Sequence, residues 1–236
     1  IVSLLAMLVS IAVGVAGIKL RNVNITFLSI GFISLAGLFM LHGLSTPGFV
    51  VSEGRALPAL AGSLSVVIAS AWVFLSALPT DLAVVRWLSR LQRALLPAWS
   101  AVLALGILLA VANAGRMERL LSHPAAPHWV PCALTAAFCL FAMYRYRKLY
   151  VMTRFPIHLG IVCSSGLLIV SIMIMVYGTV WEASWWLYHF TLFGSVLIMA
   201  VGVVVQYIGQ PSVAGLFKTL FRPDPRGLIE SSISPS

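Results

Sequence analysis

Seven stretches of almost unbroken apolar sequence constrain this chain more than anything else in it. They run over residues 1–18, 25–44, 62–78, 96–114, 129–144, 157–178 and 185–207. Each approaches or reaches the roughly 20 residues that a bilayer's hydrocarbon core demands of a helix. The runs are continuous rather than alternating, so they read as helices and exclude a membrane β-barrel. Only 9% of the 236 residues are charged, against roughly 25% in a soluble domain, and mean hydropathy is +1.03. Such a chain cannot cover a water-facing surface. The predicted fold is all-α: a polytopic membrane protein with a bundle of seven transmembrane helices over residues 1–210. Residues 211–236 then form a cytoplasmic juxtamembrane helix and linker. The first run lacks a basic leader and a small-residue cleavage site, so it counts as a span rather than a signal peptide. With no initiator Met before Ile1, the native N-terminus is expected upstream.

The net charge of +9 would suggest nucleic acid in a soluble protein, but here the charges sit in short connections and have a topogenic meaning. One set of connections, with the tail, holds Lys19, Arg21, Arg86, Arg90, Arg93, Arg145, Arg147, Lys148, Arg154, Lys218, Arg222 and Arg226. The opposite set holds Arg55, Arg116 and Arg119. The positive-inside rule puts the N-terminus outside and the tail in the cytoplasm, in the inner membrane. Between spans three and four, Pro79 ends a helix and Thr80-Asp81 is expected to cap the next. That helix carries Trp87, Leu88, Leu91 and Leu95 at helical spacing and would lie in the inner interface. Pro97 suits the first turn of span four, and Pro156 opens span six. Arg116 to Leu121 reads as a short outer helix. In the tail, Val213, Leu216, Phe217, Leu220 and Phe221 make an apolar face, with Lys218 and Arg222 off it, which predicts a basic helix against the inner leaflet.

Two stretches carry chemistry. One is Leu41-His42-Gly43-Leu44-Ser45-Thr46-Pro47-Gly48, and the other is Trp181-Glu182-Ala183-Ser184-Trp185-Trp186-Leu187-Tyr188-His189. Trp181, Trp185, Trp186 and Tyr188 form an aromatic belt, since their rings are apolar and their N–H or O–H groups want water. A histidine one turn into hydrocarbon is costly without a partner. His42 and His189 fall at similar depth near the outer face, with Gly43 thinning the helix beside His42. Two facing imidazoles could hold haem b axially. With Glu182, His123 or His128 as a third ligand they could instead hold copper, zinc or iron. The plainer reading is that each interfacial histidine bonds a carbonyl or a hydroxyl and binds nothing. His158 reads as an interfacial residue of the inner side, Met173 and Met175 as packing, and Cys132, Cys139 and Cys163 as small buried hydrophobes.

Enzyme signatures are absent: no GxSxG, no HExxH, no GxxxxGK[ST] and no carboxylate pair inside a span. Absence of intramembrane Asp or Glu argues against an ion-coupled transporter.

With these two stretches, the chain resembles the seven-helix N-terminal sensor region of bacterial signalling proteins. Those regions precede cytoplasmic outputs such as class III nucleotide cyclases, HD-GYP phosphodiesterases, GGDEF cyclases or histidine kinases. His42 and His189 match the histidines of the two motifs, while Tyr188 stands where the family often has Trp. Residues 228–236 are similar to the lead-in of an HD-GYP domain. The resemblance implies a signal-input module with an output domain in cis beyond Ser236, acting as a homodimer, with the lipid bilayer and no nucleic acid as its surroundings. The expected ligand is a metal, haem or a small apolar molecule at the outer-leaflet site. The alternatives are a haem- or metal-binding redox subunit, and a transporter or lipid-modifying enzyme.

Overall fold

The computed structural model describes residues 1–46, 56–121, 127, 129–179 and 182–209, and at 20 and 207–209 the backbone alone. Among the described residues there are nine helices and no strand. They are α1 (Val2–Leu20), α2 (Val23–Ser45), α3 (Ala56–Ser76), α4 (Ala83–Arg90), α5 (Gln92–Ala112), α6 (Ala114–Leu121), α7 (Trp129–Thr153), α8 (Pro156–Tyr177) and α9 (Ala183–Gly209). Six of them, α1, α2, α3, α5, α8 and α9, are long and apolar enough to cross a membrane. The predicted tail helix with Phe217, Lys218, Phe221 and Arg222 lies outside the described residues, as do Trp181, His123 and His128.

Helix α7 is the exception among the predicted spans. It continues from Tyr144 through Arg145, Arg147 and Lys148 to Thr153, which makes 25 residues, about 37 Å at 1.5 Å per residue. Its basic final turns lower its hydropathy, yet it packs as the other long helices do. Tyr146 is fully buried, and its hydroxyl lies 3.0 Å from Ser76 Oγ on α3. Further along, Cys132 Sγ reaches the Ile172 carbonyl of α8.

Helix α2 is the axis of the bundle. Its buried residues face α1, α3 and α5, and α3, α7, α8, α9 and α1 follow one another round the remaining side. The turn between α1 and α2 is tight. Arg21 adopts a left-handed backbone (φ 50), and the Asn22 side chain then accepts the N–H groups of Asn24 and Ile25 at the start of α2. Close packing depends on small residues and hydroxyls, as expected where lipid removes the hydrophobic drive between helices. A Cβ on Gly14 would come within 2.7 Å of Ser29 Oγ. Ser10 and Ser29 donate to one another's carbonyls at 2.9 and 2.8 Å. The α8–α9 seam is built alike, with Ser164 Oγ 2.8 Å from Ser195 Oγ and Ser171 Oγ 2.8 Å from Thr191 Oγ1.

Helix α5 packs outside, against α2. Its hold comes from Trp99 Nε1 donating to Ser34 Oγ at 2.7 Å and from Gln92 Nε2 donating to the Gly17 carbonyl and to Thr26 Oγ1. The chain rises and falls regularly, so one end of the bundle collects the start of α3, the end of α2, α6 and the start of α9. The other end collects Lys19, Arg21, Arg86, Arg90, Arg93, Arg145, Arg147, Lys148 and Arg154.

Several sequence expectations change. Pro97 is the sixth residue of α5 rather than in its first turn, because α5 starts at Gln92, with only Leu91 between it and the end of α4. Helix α4 has Leu82 as its N-cap with no side-chain bond, so Thr80 and Asp81 do not cap it. His158 lies in the first turn of α8, at the end of the bundle that carries Arg154. It is fully buried, with Nδ1 3.0 Å from Thr153 Oγ1 and its ring between Tyr146 and Phe155. Cys132 and Cys139 are buried as expected, but Cys163 is exposed.

Candidate functional site

The site begins with the first turn of α3. Helix N-termini leave four backbone N–H groups without helical partners. Here the Glu118 carboxylate of α6 accepts two of them, Ala56 N–H at 2.8 Å and Leu57 N–H at 3.0 Å. Pro58 follows with no N–H to satisfy. The turn is thereby held from outside, and the Pro58 carbonyl accepts from His42 Nδ1 at 2.8 Å. A carbonyl only accepts, so Nδ1 carries the proton. In the neutral ring Nε2 is then an acceptor, and the Tyr188 hydroxyl of α9 donates to it at 2.7 Å. One imidazole therefore ties α3, α2 and α9 together. Both partners are buried: His42 is 8% exposed and Tyr188 4%.

Space for that ring comes from α3. A Cβ on Gly62 would sit 3.1 Å from His42 Nδ1 and 2.9 Å from Met175 Sδ. Gly43 lines the cavity beside the site, but a Cβ there would meet nothing within 4 Å, so it is Gly62 and not Gly43 that makes room for the ring. Phe39, one turn before His42, stacks on its ring at 5.2 Å and meets His189 edge-on at 5.6 Å.

The two histidines do meet. Their ring centroids are 5.9 Å apart and inclined by 46°. His189 turns its Nδ1 back to the Trp185 carbonyl one helical turn earlier, at 2.7 Å. Its ring lies on Tyr188 (4.1 Å) and beside Trp185 (4.3 Å). Among the described residues, Nε2 of His189 takes no hydrogen bond. The plainer sequence reading, a histidine bonded to a carbonyl or a hydroxyl, thus describes both nitrogens of His42 and one of His189. Trp186 is exposed, as a belt residue would be, whereas Tyr188 is not a belt residue. It belongs to the inward stripe with Leu192, Val196 and Met199, a spacing readable in the sequence.

Beside the rings is a cavity of about 700 Å³, within the roughly 300–1,000 Å³ usual for small-molecule sites. Helices α1, α2 and α9 line it, with Phe39, Ala36, Trp185, His42 and His189 at its inner wall and the exposed Leu4, Met7 and Met40 at its rim. No Lys, Arg, Asp or Glu lines it. Among the described residues no three His, Cys, Asp or Glu side chains converge on a point, so Glu182 does not join the two histidines as a metal set. The fit to a bis-histidine haem is also poor. His42 has both nitrogens engaged and would have to give up Tyr188 or Pro58 to bind iron. No protein-family model, curated protein or solved structure matches the chain.

Proposed function

We propose that the chain is a signal-input module of seven membrane spans, with α7 as the seventh, its N-terminus outside and its α9 end in the cytoplasm of the inner membrane. The basic residues gathered at the α9 exit end support that orientation. A small apolar ligand from the lipid phase would occupy the cavity at His42 and His189. A cytoplasmic output domain in cis would receive the signal. One observation carries this reading: the cavity wall and the bundle's exit helix are the same element, α9, which meets α2 there through the Tyr188–His42 bond. A ligand shifts a conformational equilibrium only by binding its two states unequally. An occupant pressing on Trp185 and His189 has that differential grip on how α9 packs against α2.

The test is native mass spectrometry of the protein released from nanodiscs, beside an Ala36→Phe variant that fills the cavity. One apolar molecule retained per chain, and lost in Ala36→Phe, is the expected result. No saturable retention from any lipid extract would sink the cavity reading. In the full-length protein, output unchanged by replacing both histidines would refute the relay.

A second reading, a metal or haem redox site, has one observation in its favour. The 5.9 Å between ring centroids is close to the roughly 6 Å that two metal–nitrogen bonds of about 2 Å would set. It requires His42 to leave Tyr188. A Soret band, or stoichiometric copper, zinc or iron, lost in both His42→Ala and His189→Ala would select it.

A further inference from the structure

The proposed cavity has one polar feature whose sense is set by the backbone, and it bears on the ligand's head group. We infer that the occupant is a neutral lipophilic molecule carrying a hydroxyl, such as a long-chain alcohol or alkylphenol, that donates to His189 Nε2; this rests on the ligand-binding reading above. The Trp185 carbonyl fixes the His189 proton on Nδ1. The neutral ring therefore offers a lone pair at Nε2 and no donor.

Of the other polar side chains in the lining, those of His42 and Thr46 have their donors engaged, and the Ser3 hydroxyl stands across the cavity on α1. His42 uses both nitrogens, and Thr46 Oγ1 donates to the His42 carbonyl at 2.8 Å. A carbonyl-headed molecule finds no donor at His189. An anionic head group finds no Lys or Arg in the lining. A hydroxyl satisfies the open acceptor of His189, while the apolar body fills a cavity walled by Phe39, Ala36 and Trp185. The preference is thus for the reduced, hydroxylated form of a lipophilic molecule over its carbonyl or ether counterpart.

Equilibrium binding of tritiated 4-nonylphenol and of its methyl ether, 4-nonylanisole, to the protein in phosphatidylcholine nanodiscs tests this. The two probes share a tail and differ in the donor. The phenol is expected to bind about fivefold tighter, the worth of one neutral hydrogen bond, and to shift the ¹⁵N resonance of His189 Nε2. In His189→Phe the two probes should bind alike, and retained anisole binding there shows that the cavity is intact. Equal binding of both probes to the unmodified protein overturns the donor inference and leaves the cavity reading standing. A preference that persists in His189→Phe also overturns it, and moves the head group to another lining residue such as Ser3. If neither probe saturates, the inference and the cavity reading fail together.

Discussion

Tyr188→Phe deletes a single oxygen from the centre of the bundle, and its cost can be worked out from the geometry. The hydroxyl donates to His42 Nε2 at 2.7 Å, with both residues buried, so bulk water does not replace it. An unpaired buried acceptor costs about 1–3 kcal/mol in soluble proteins. Side-chain bonds between membrane helices average about 0.6 kcal/mol and reach about 1.7. His42 cannot turn toward another donor, because its second nitrogen is held by Pro58 and Gly62 leaves room for only one ring position. We therefore expect a loss of about 1–1.5 kcal/mol, in the upper part of the membrane range. His42→Leu removes both bonds and strands the Tyr188 hydroxyl. On that background Tyr188→Phe should cost nothing, or recover a few tenths of a kcal/mol. The assay is reversible unfolding in mixed micelles at rising dodecyl sulfate, followed by circular dichroism, for all four members of the cycle. Non-additivity near 1 kcal/mol is expected; additivity within about 0.3–0.5 kcal/mol would refute the bond.

Three further outcomes follow from other contacts. Glu118→Gln keeps the shape but weakens the charge-assisted cap on Ala56 and Leu57, so amide exchange at the first turn of α3 should quicken by about three- to tenfold, as for a lost N-cap of about 1 kcal/mol. Unchanged exchange would remove Glu118 from the account. Gly62→Ala should destabilise by about 1 kcal/mol through overpacking against His42 and Met175, with Met175→Ala in the same chain relieving part of it, as micelle unfolding will read. In detergent, an apolar maleimide should label Cys163 rapidly and Cys132 and Cys139 slowly; comparable labelling of all three by mass spectrometry would contradict the packing of α7.

The long helices were legible because lipid-length apolar runs leave the backbone no other way to satisfy itself. Their joints were harder to read. Pro156 at the first turn of α8 matched its expected place, but Pro97 did not, since α4 supplies α5 with an earlier start. The apolar run stops at Tyr144 while α7 continues to Thr153, because Arg145 and Lys148 lower hydropathy without breaking a helix whose Tyr146 is buried. At the site, the pairing of His42 with His189 could be guessed from depth. Their hydrogen bonds could not, because Pro58 offers a carbonyl and Gly62 an absence, neither of which is a motif. Glu118 acts across 62 positions on a backbone amide, and only the fold brings them together. Tyr188 was the exception: its register with Leu192 and Met199 pointed inward, although its neighbours made it look like belt.

The hydroxyl-stitched seam between α8 and α9 has a mechanical meaning. Gly160 and Gly202 let the two backbones approach closely, a Cβ on either lying 3.6 Å from the other's Cα. Ser164–Ser195 and Ser171–Thr191 stitch the pair higher up, so the two helices form a stiff plank rather than two rods. Its polar tie to α2, at Tyr188, lies near one end, while Leu192, Val196 and Met199 pack into the core along its length. Helix α9 has 27 residues and is about 40 Å long at 1.5 Å per residue. From His189 to Gly209 is about 30 Å, so a tilt of roughly 5° about the histidines would carry the far end roughly 2.5 Å. An adjustment at the cavity smaller than an atom's width becomes, at the opposite face, a displacement of about half a helical turn's rise.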